Sequence, residues 1–362
     1  MMSQLLDELY TDSPSLHSAE FYRQCLAEIE REYVAPQVFS IIRKHQYVER
    51  MPPDFIAQLR ELSQKTLGQN FYIRVQQQQV FSALERNRIS TIALKGVVFA
   101  ERYFGDFAAR PTSDIDVLLT QDNLEKVINC LRSEGFQGPH DYNPLHFHCV
   151  MSKQIQSGNL VLNIELHWSL LHQNNALAQW DEFWKNATYY EHYRYIKELT
   201  VQDTFYSICL HGANHELNSF KYILDVAHLI YTNGTEIDFG CLLETCRRDK
   251  TLRRVKATLN IVYAEFPSLH QVKPLPYRDR TRRSWSQAVL SVPVLTPDSW
   301  RLRFRIVREW FWPMREVALW HLRHDGELTS GHVYWKFYRQ RLFHLARKLS
   351  LDETTKEKKL HV

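Results

Sequence analysis

The chain has 362 residues, with 45 Lys and Arg against 41 Asp and Glu, a formal net charge of +4 at pH 7. That length suits two or three compact units rather than one. No run of eighteen or more apolar residues occurs, so no membrane span is predicted, and Met1–Tyr10 lacks the basic start and apolar run of a signal peptide. The six cysteines, Cys25, Cys130, Cys149, Cys209, Cys241 and Cys246, form no C-x-x-C pair. They read as single thiols in a reducing cytoplasm.

In chain order, residues 21–42 carry apolar side chains at helical spacing. Residues 54–87 do so more clearly, with Phe55, Leu59, Leu62, Leu67, Phe71, Val75, Val80 and Leu84. Pro52 and Pro53 precede this helix, Asp54 can cap it, and Gln76–Gln79 reads as its solvated face. Residues 89–94 predict a short strand. Lys95-Gly96 follows, then a helix over 97–104 and a second strand over 114–119. Asp122 with Glu125 resembles a capping box for a helix running to about Ser133, which Gly135 stops. Residues 146–155 and 160–168 predict two strands joined at Ser157-Gly158-Asn159. From about Trp180 helices dominate, most clearly over 203–216 and 222–231, and residues 354–362 form a charged tail. The expected layout is a helical arm over 1–88, a compact core over 89–190 and a helical region over 191–362.

Asp114-Ile115-Asp116 lies in the second strand, where alternate side chains share a face. Its two carboxylates therefore project together, roughly 7 Å apart at Cα. Like charges so placed repel, and a hard, oxygen-ligated cation such as Mg²⁺ relieves them. The plain alternative is a strand end with two solvated acids. Gly96 between a strand and a helix lets backbone N–H groups approach a phosphate, and Lys95 adds a point charge for the same oxygens. In Asn163-Ile164-Glu165-Leu166-His167-Trp168 the residues Asn163, Glu165 and His167 share one face. An acid inside an otherwise apolar strand needs a partner or a metal. If this strand lies beside the Asp114 strand, Glu165 joins the pair, and three carboxylates around metal ions can clamp phosphoryl transfer.

Leu94-Lys95-Gly96, Arg110, Asp114–Leu119 and Glu165–Trp168 resemble the uncharacterised nucleotidyltransferase family of the DNA polymerase β-like superfamily. So do His146 with His148, and Leu210-His211 with His215 and Asp225. The resemblance covers about residues 89–230. It implies an α+β fold: a polymerase β-like core, a small mixed sheet with flanking helices, between the N-terminal helical arm and the mainly helical C-terminal region. It also implies a metal-dependent transfer of a nucleoside monophosphate from an NTP such as ATP, with Mg²⁺ or Mn²⁺ as cofactor and pyrophosphate released. Asp114, Asp116 and Glu165 would be catalytic and bind metal, with Glu165 helping to activate the acceptor. Lys95 and Gly96 would hold the phosphates, and His167 would contact the nucleotide site. Arg110 would either neutralise the triphosphate or fix the strand end. For Glu165 the alternative is an ion pair with Arg110 or Lys95. Lys95-Gly96 stands where the superfamily usually has Gly-Ser.

His140, His146, His148 and His167 cluster around the proposed strands, as proton shuttles, nucleotide contacts or half-buried polar residues. His211 and His215 have i, i+4 spacing, which can bind zinc, but Glu216 follows the second His and so departs from the zinc-protease motif; the expectation is a structural role or a helix face turned toward the cleft or toward Asp225. Arg278, Arg280, Arg282, Arg283, Arg301, Arg303, Arg305, Arg308 and Arg315, and then Lys336, Arg339, Arg341, Arg347 and Lys348, are interleaved with Trp310, Trp312, Trp335 and Tyr338. Such a surface suits RNA or an anionic membrane surface, or else is a solvated helical face with its tryptophans inward. The acceptor is left open between a small molecule, a peptide or protein side chain and an RNA end. The alternatives to transfer are an inactive nucleotide-binding module and a phosphotransferase on the same scaffold.

Overall fold

The computed structural model describes residues 1–11, 15–139, 146–154, 161–171 and 180–278, with the single residues 285, 298, 300, 304, 308, 334, 335, 338 and 339. The chain divides into two compact units, residues 1–299 and 300–362.

The first unit opens with α1 (Met2–Leu9), α2 (Ala19–Arg31) and α3 (Ala35–Lys44). The single helix expected over 21–42 is two, because Tyr33 takes a positive φ of 56° and Pro36 sits in the first turn of α3. The long apolar stripe becomes α4 (Pro53–Arg86), 34 residues and so about 51 Å. Pro52 takes the N-cap position without a side-chain bond, so Asp54 is not the cap. It sits in the first turn, where its charge complements the helix dipole. Gln78 and Gln79 face solvent, but Gln77 is buried. Strand β1 (Thr91–Ala93) leads through Gly96 into α5 (Val97–Phe99), which continues as a π-helical turn over Ala100–Phe104. Strand β2 (Asp114–Leu118) precedes α6 (Leu124–Ser133). A 3₁₀ turn over Gln121–Asn123 starts that helix and Asn123 is its N-cap residue, so the capping box does not form. Gly135 ends the helix with φ +88°.

Strands β3 (His148–Gln154) and β4 (Val161–His167) follow; the turn residues Ser157–Asn159 lie outside the described residues, as does His140. After α7 (Asp181–Asn186) come two strands that periodicity does not announce, β5 (Thr188–Tyr189) and β6 (Ile196–Glu198). Both are too short to show alternation. The chain then runs helically through α8 (Val201–Asn214), α9 (Phe220–Asn233), α10 (Phe239–Arg248), α11 (Leu252–Glu265) and α12 (Leu269–Val272).

The six strands form one mixed sheet in the order β3-β4-β2-β1-β6-β5. The pairs β2–β4 and β1–β6 are parallel, and β1–β2, β3–β4 and β5–β6 are antiparallel. Two apolar cores result. One gathers β-face residues such as Ile115, Val117, Ile164 and Leu166 with α6 and the second half of α4. The other joins α1–α3 to α8–α12, with Leu5, Ile41, Phe205, Phe220 and Phe266 fully buried in it. The fold is thus α+β: a mixed sheet flanked by helices. No described helix is long and apolar enough to cross a membrane.

In the second unit, the described Trp300 and Trp335 are exposed, Tyr334 and Tyr338 stack at 6.4 Å, and Arg339 lies over the Trp335 ring at 5.1 Å. Where those two tryptophans stand, they do not point inward. Arg280, Arg282, Arg283, Arg301, Arg303, Arg305, Arg315, Arg341 and Arg347, with Lys336 and Lys348, lie outside the described residues.

Candidate active site

The loop before β2 sets the site. Asn70, buried in the middle of α4, donates to the carbonyls of Phe107 (2.8 Å) and Arg110 (2.7 Å) and accepts from Thr112 N (3.2 Å). Gln69 adds a bond to Thr112 O at 2.9 Å. Buried backbone groups that have no ladder partner are thereby satisfied, which fixes where β2 begins. The Arg110 guanidinium is spent on Asp225 of α9: Nε lies 3.0 and 2.9 Å from the two carboxylate oxygens, and an Nη atom lies 2.8 Å from one. Gln37 of α3 donates to the same Asp225 at 2.9 Å, and the Phe99 ring lies 5.3 Å from the guanidinium. Arg110 is 3% exposed. Of its two expected roles, its geometry supports fixing the strand end; a triphosphate cannot reach a guanidinium already enclosed by its carboxylate.

Strands β2 and β4 run side by side in parallel, with Asp114 opposite Asn163 and Asp116 opposite Glu165. Like-charge neighbours at that spacing require positive charge between them. Lys95 supplies it: its Nζ lies 2.6 Å from Asp116 Oδ1 and 3.8 Å from Glu165 Oε2. His167 Nε2 also bridges them, at 3.2 Å from Asp116 Oδ1 and 3.1 Å from Glu165 Oε2. Of the two readings of Glu165, then, the ion pair with Lys95 exists, and it does not exclude the other.

The titration behaviour follows. Burial opposes ionisation of Asp116, but Lys95 and His167 hold its carboxyl well below the usual range. Burial likewise opposes charge on Glu165, and the bond from His167 lowers its pKa. Burial disfavours the His167 imidazolium, yet its bonds to Asp116 and Glu165 raise its pKa. Lys95 is raised in the same way, desolvation being outweighed by the three acids. For Asp114 the cations do not suffice: burial and then the neighbouring Asp116 push its carboxyl up to about 6, against the lowering charges of Lys95 and Lys221.

A divalent cation fits this donor set. Asp116 Oδ2 is buried with no hydrogen-bond partner. One ligand atom each of Asp116, Glu165 and His167 lie within 4.8 Å of one another. Asp114 is not in that group; it stands two residues along the same strand face. Gly96 approaches the start of β2 closely: with φ +72°, a Cβ there would lie 3.4 Å from Asp114 O and from Thr112 Cγ2.

Beside Glu165 a cleft of about 160 Å³ opens between the sheet and α8. Lys95, Glu165 and His167 line one wall, and Ser207, His211 and His215 the other. His148 is the cross-strand partner of His167, and the rings are 5.0 Å apart. The His146 ring stacks on Phe147 at 4.5 Å. His211 and His215 are 4.6 Å apart and both meet the Tyr222 ring. They face this cleft and not Asp225, and they belong to no metal-ligand group among the described residues. Lys221, at the start of α9, feels Asp114 and forms no ion pair among the described residues. Burial and then Arg110 lower its pKa to about 8, so it is charged at neutral pH.

Sequence reading missed Asn70, Gln37, Ser207 and Lys221. For Asn70 and Gln37 a signal exists: a polar residue on the apolar stripe of a helix is placed there for a partner. For Ser207 and Lys221 nothing local distinguishes them.

A family model described as an uncharacterised nucleotidyltransferase matches residues 22–266. No curated protein and no solved structure matches the chain.

Proposed function

Because the chain belongs to that family of uncharacterised nucleotidyltransferases, we propose that it moves a nucleoside monophosphate from an NTP to an acceptor hydroxyl or phosphate and releases pyrophosphate. The observation that carries this reading is the register of two parallel strands. It sets Glu165 beside Asp116, with Asp114 on the same face and Asp116 Oδ2 buried without a hydrogen-bond partner. Asp116 and Glu165, with Asp114 or His167, would hold Mg²⁺ or Mn²⁺, which when bound supplies Lewis-acid stabilisation of the phosphoryl charge.

The remaining work falls to the chain itself. The backbone of the Lys95-Gly96 turn, which packs closely against the start of β2, would receive the phosphates, and Lys221, whose charge acts on Asp114, would supply a cation there. Lys95, held at 2.6 Å from Asp116, keeps the carboxylates from repelling one another before substrate arrives. In the transfer, an acceptor oxygen attacks the α-phosphorus and the bond from that phosphorus to the bridging oxygen breaks. Pyrophosphate leaves with the electron pair, and Glu165 takes the acceptor proton on a carboxylate oxygen. Arg110 acts at one remove, by tying the entry of β2 to α9 through Asp225. In this division of labour residues 89–190 carry the chemistry, and α8 walls the cleft beside Glu165.

The test is product analysis with each α- and γ-labelled NTP, divalent metal and a cell extract. Label from the α-phosphate should enter an acceptor as pyrophosphate forms, and Asp116→Asn should lower that rate by roughly a thousandfold or more while the protein stays folded. ADP as product would mean phosphotransfer. Neither product would leave a binding module.

A further inference from the structure

We propose that the cleft beside Glu165 is the acceptor site, and that it takes a small, uncharged, ring-shaped polyol of about hexose size. This rests on the nucleotidyl-transfer reading above, whose acceptor it names by class.

Position argues first. The cleft is lined by Glu165, Lys95 and His167, but Asp114 and Gly96 do not line it. Substrate seated there approaches the carboxylate row from its Glu165 end. The nucleotide phosphates then occupy the opposite end, beside Asp114 and the Gly96 turn that packs against it. Two substrates of a displacement must meet the transferred phosphorus from opposite sides, and the two ends of the row provide that.

Size argues second. A volume of about 160 Å³ is that of one ring; an engineered cavity of about 150 Å³ takes benzene.

Charge argues third. The lining carries one ammonium, Lys95, and it already lies 2.6 Å from Asp116. Glu165 adds negative charge. Lys221 reaches only the His215 rim, over the Tyr222 ring, so a phosphodiester end entering beside Glu165 would meet a carboxylate and a cation already held by Asp116, which disfavours an RNA terminus.

Hydrogen bonding argues last. The side chains of Ser207, His211 and His215 make no hydrogen bond among the described residues, and His148 Nδ1 is buried without one. Asn214, by contrast, is engaged with Leu170 O and Arg254. Burial, followed by the charge of Lys95, lowers the pKa of His211 and His215, so both are neutral at pH 7 and each offers one donor and one acceptor. Four such groups spread over β3 and α8 exceed what a single phenol hydroxyl can satisfy. They match several hydroxyls around a ring, while Leu94, Phe147 and Leu170 supply apolar surface for the ring's C–H face.

The experiment is ligand-observed saturation-transfer NMR on the full chain. Its probes are glucose, galactose, mannose and myo-inositol, with N-acetyltyrosinamide and a five-nucleotide RNA as comparisons. A polyol should receive saturation. Ser207→Trp, which fills the cleft, should weaken that binding at least about tenfold, as should His215→Phe, an exposed position where replacement leaves the core intact. The inference falls if no polyol binds, if both variants bind as the parent does, or if the RNA or the tyrosinamide competes the polyol away. The same samples with α-labelled NTP and Mg²⁺ separate the two levels. Polyol binding without pyrophosphate release overturns the transfer reading, whereas pyrophosphate release onto another acceptor overturns this one.

Discussion

At the scale of single residues, the site is a set of acids kept together by cations that belong to the chain. Lys95 and His167 both bond Asp116, so removing either leaves an ionised group poorly compensated in a dry place. The Arg110–Asp225 pair is the more deeply buried case, and its worth is read by breaking it. Asp225→Asn leaves a buried guanidinium without its counter-charge and should destabilise the protein by about 3 to 5 kcal/mol. A fall in denaturation midpoint at unchanged m-value would show this; an unchanged midpoint would show that the pair is not structural. Lys221 tests the other side of the site. As a charged, half-buried lysine near Asp114 with no ion pair among the described residues, it is the cation left for the triphosphate. Lys221→Met should raise the KM for NTP by about tenfold with a smaller change in kcat, and equal kinetics would remove it from the nucleotide side.

At the scale of elements, helices far apart in sequence are fastened by polar contacts. His228 of α9 donates from Nε2 to Tyr103 O at 2.9 Å and accepts at Nδ1 from Tyr10 OH at 2.6 Å, so it joins α9 to the π turn and to the end of α1. Both roles need the neutral ring. Burial, partly offset by the Tyr103 carbonyl, lowers its pKa to about 3. The unfolded chain, with an ordinary value near 6.5, therefore binds a proton that the folded protein refuses. Stability from this group is complete above about pH 6.5. It is lost as pH falls from there toward 3, with a slope approaching roughly 1.4 kcal/mol per pH unit. Unfolding midpoints measured between pH 7 and 4 should decline accordingly, and the decline should flatten in His228→Phe. An identical decline in that variant would assign the slope elsewhere. The clamp of α4 on the loop before β2 is a further fastening of this kind: Asn70 spends its whole amide on backbone groups of that loop.

For the whole molecule, the family match over residues 22–266 extends well beyond the sheet. The physical reason lies in the second apolar core, which mixes α1–α3 with α8–α12. The first compact unit ends at Ser299. Asp298 accepts from the N–H groups of Leu252 and Arg253 at the start of α11, and Trp285 donates from its indole to Leu217 O at 2.5 Å. A fragment of residues 1–299 should therefore unfold cooperatively, within about 3 °C of the full chain. A fragment of residues 1–278 loses the cap on α11 and should be less stable by about 1–2 kcal/mol. Calorimetry on the two fragments decides this, and equal midpoints would show that Asp298 and Trp285 contribute nothing. The sequence by itself determined the mixed class, since periods of two and of 3.6 are local properties that survive without knowledge of neighbours. It set the approximate extent of α4, α8, α9 and the first four strands. It also singled out Asp114, Asp116 and Glu165, because charge inside an apolar strand is visible as text. Only the tertiary structure decided which strands are neighbours, that Arg110 belongs to Asp225 rather than to the cleft, that β6 completes the sheet beside β1, and that Ser207 faces Glu165. Each of these joins residues from separate elements, and pairings at that range are set by packing that no local pattern encodes.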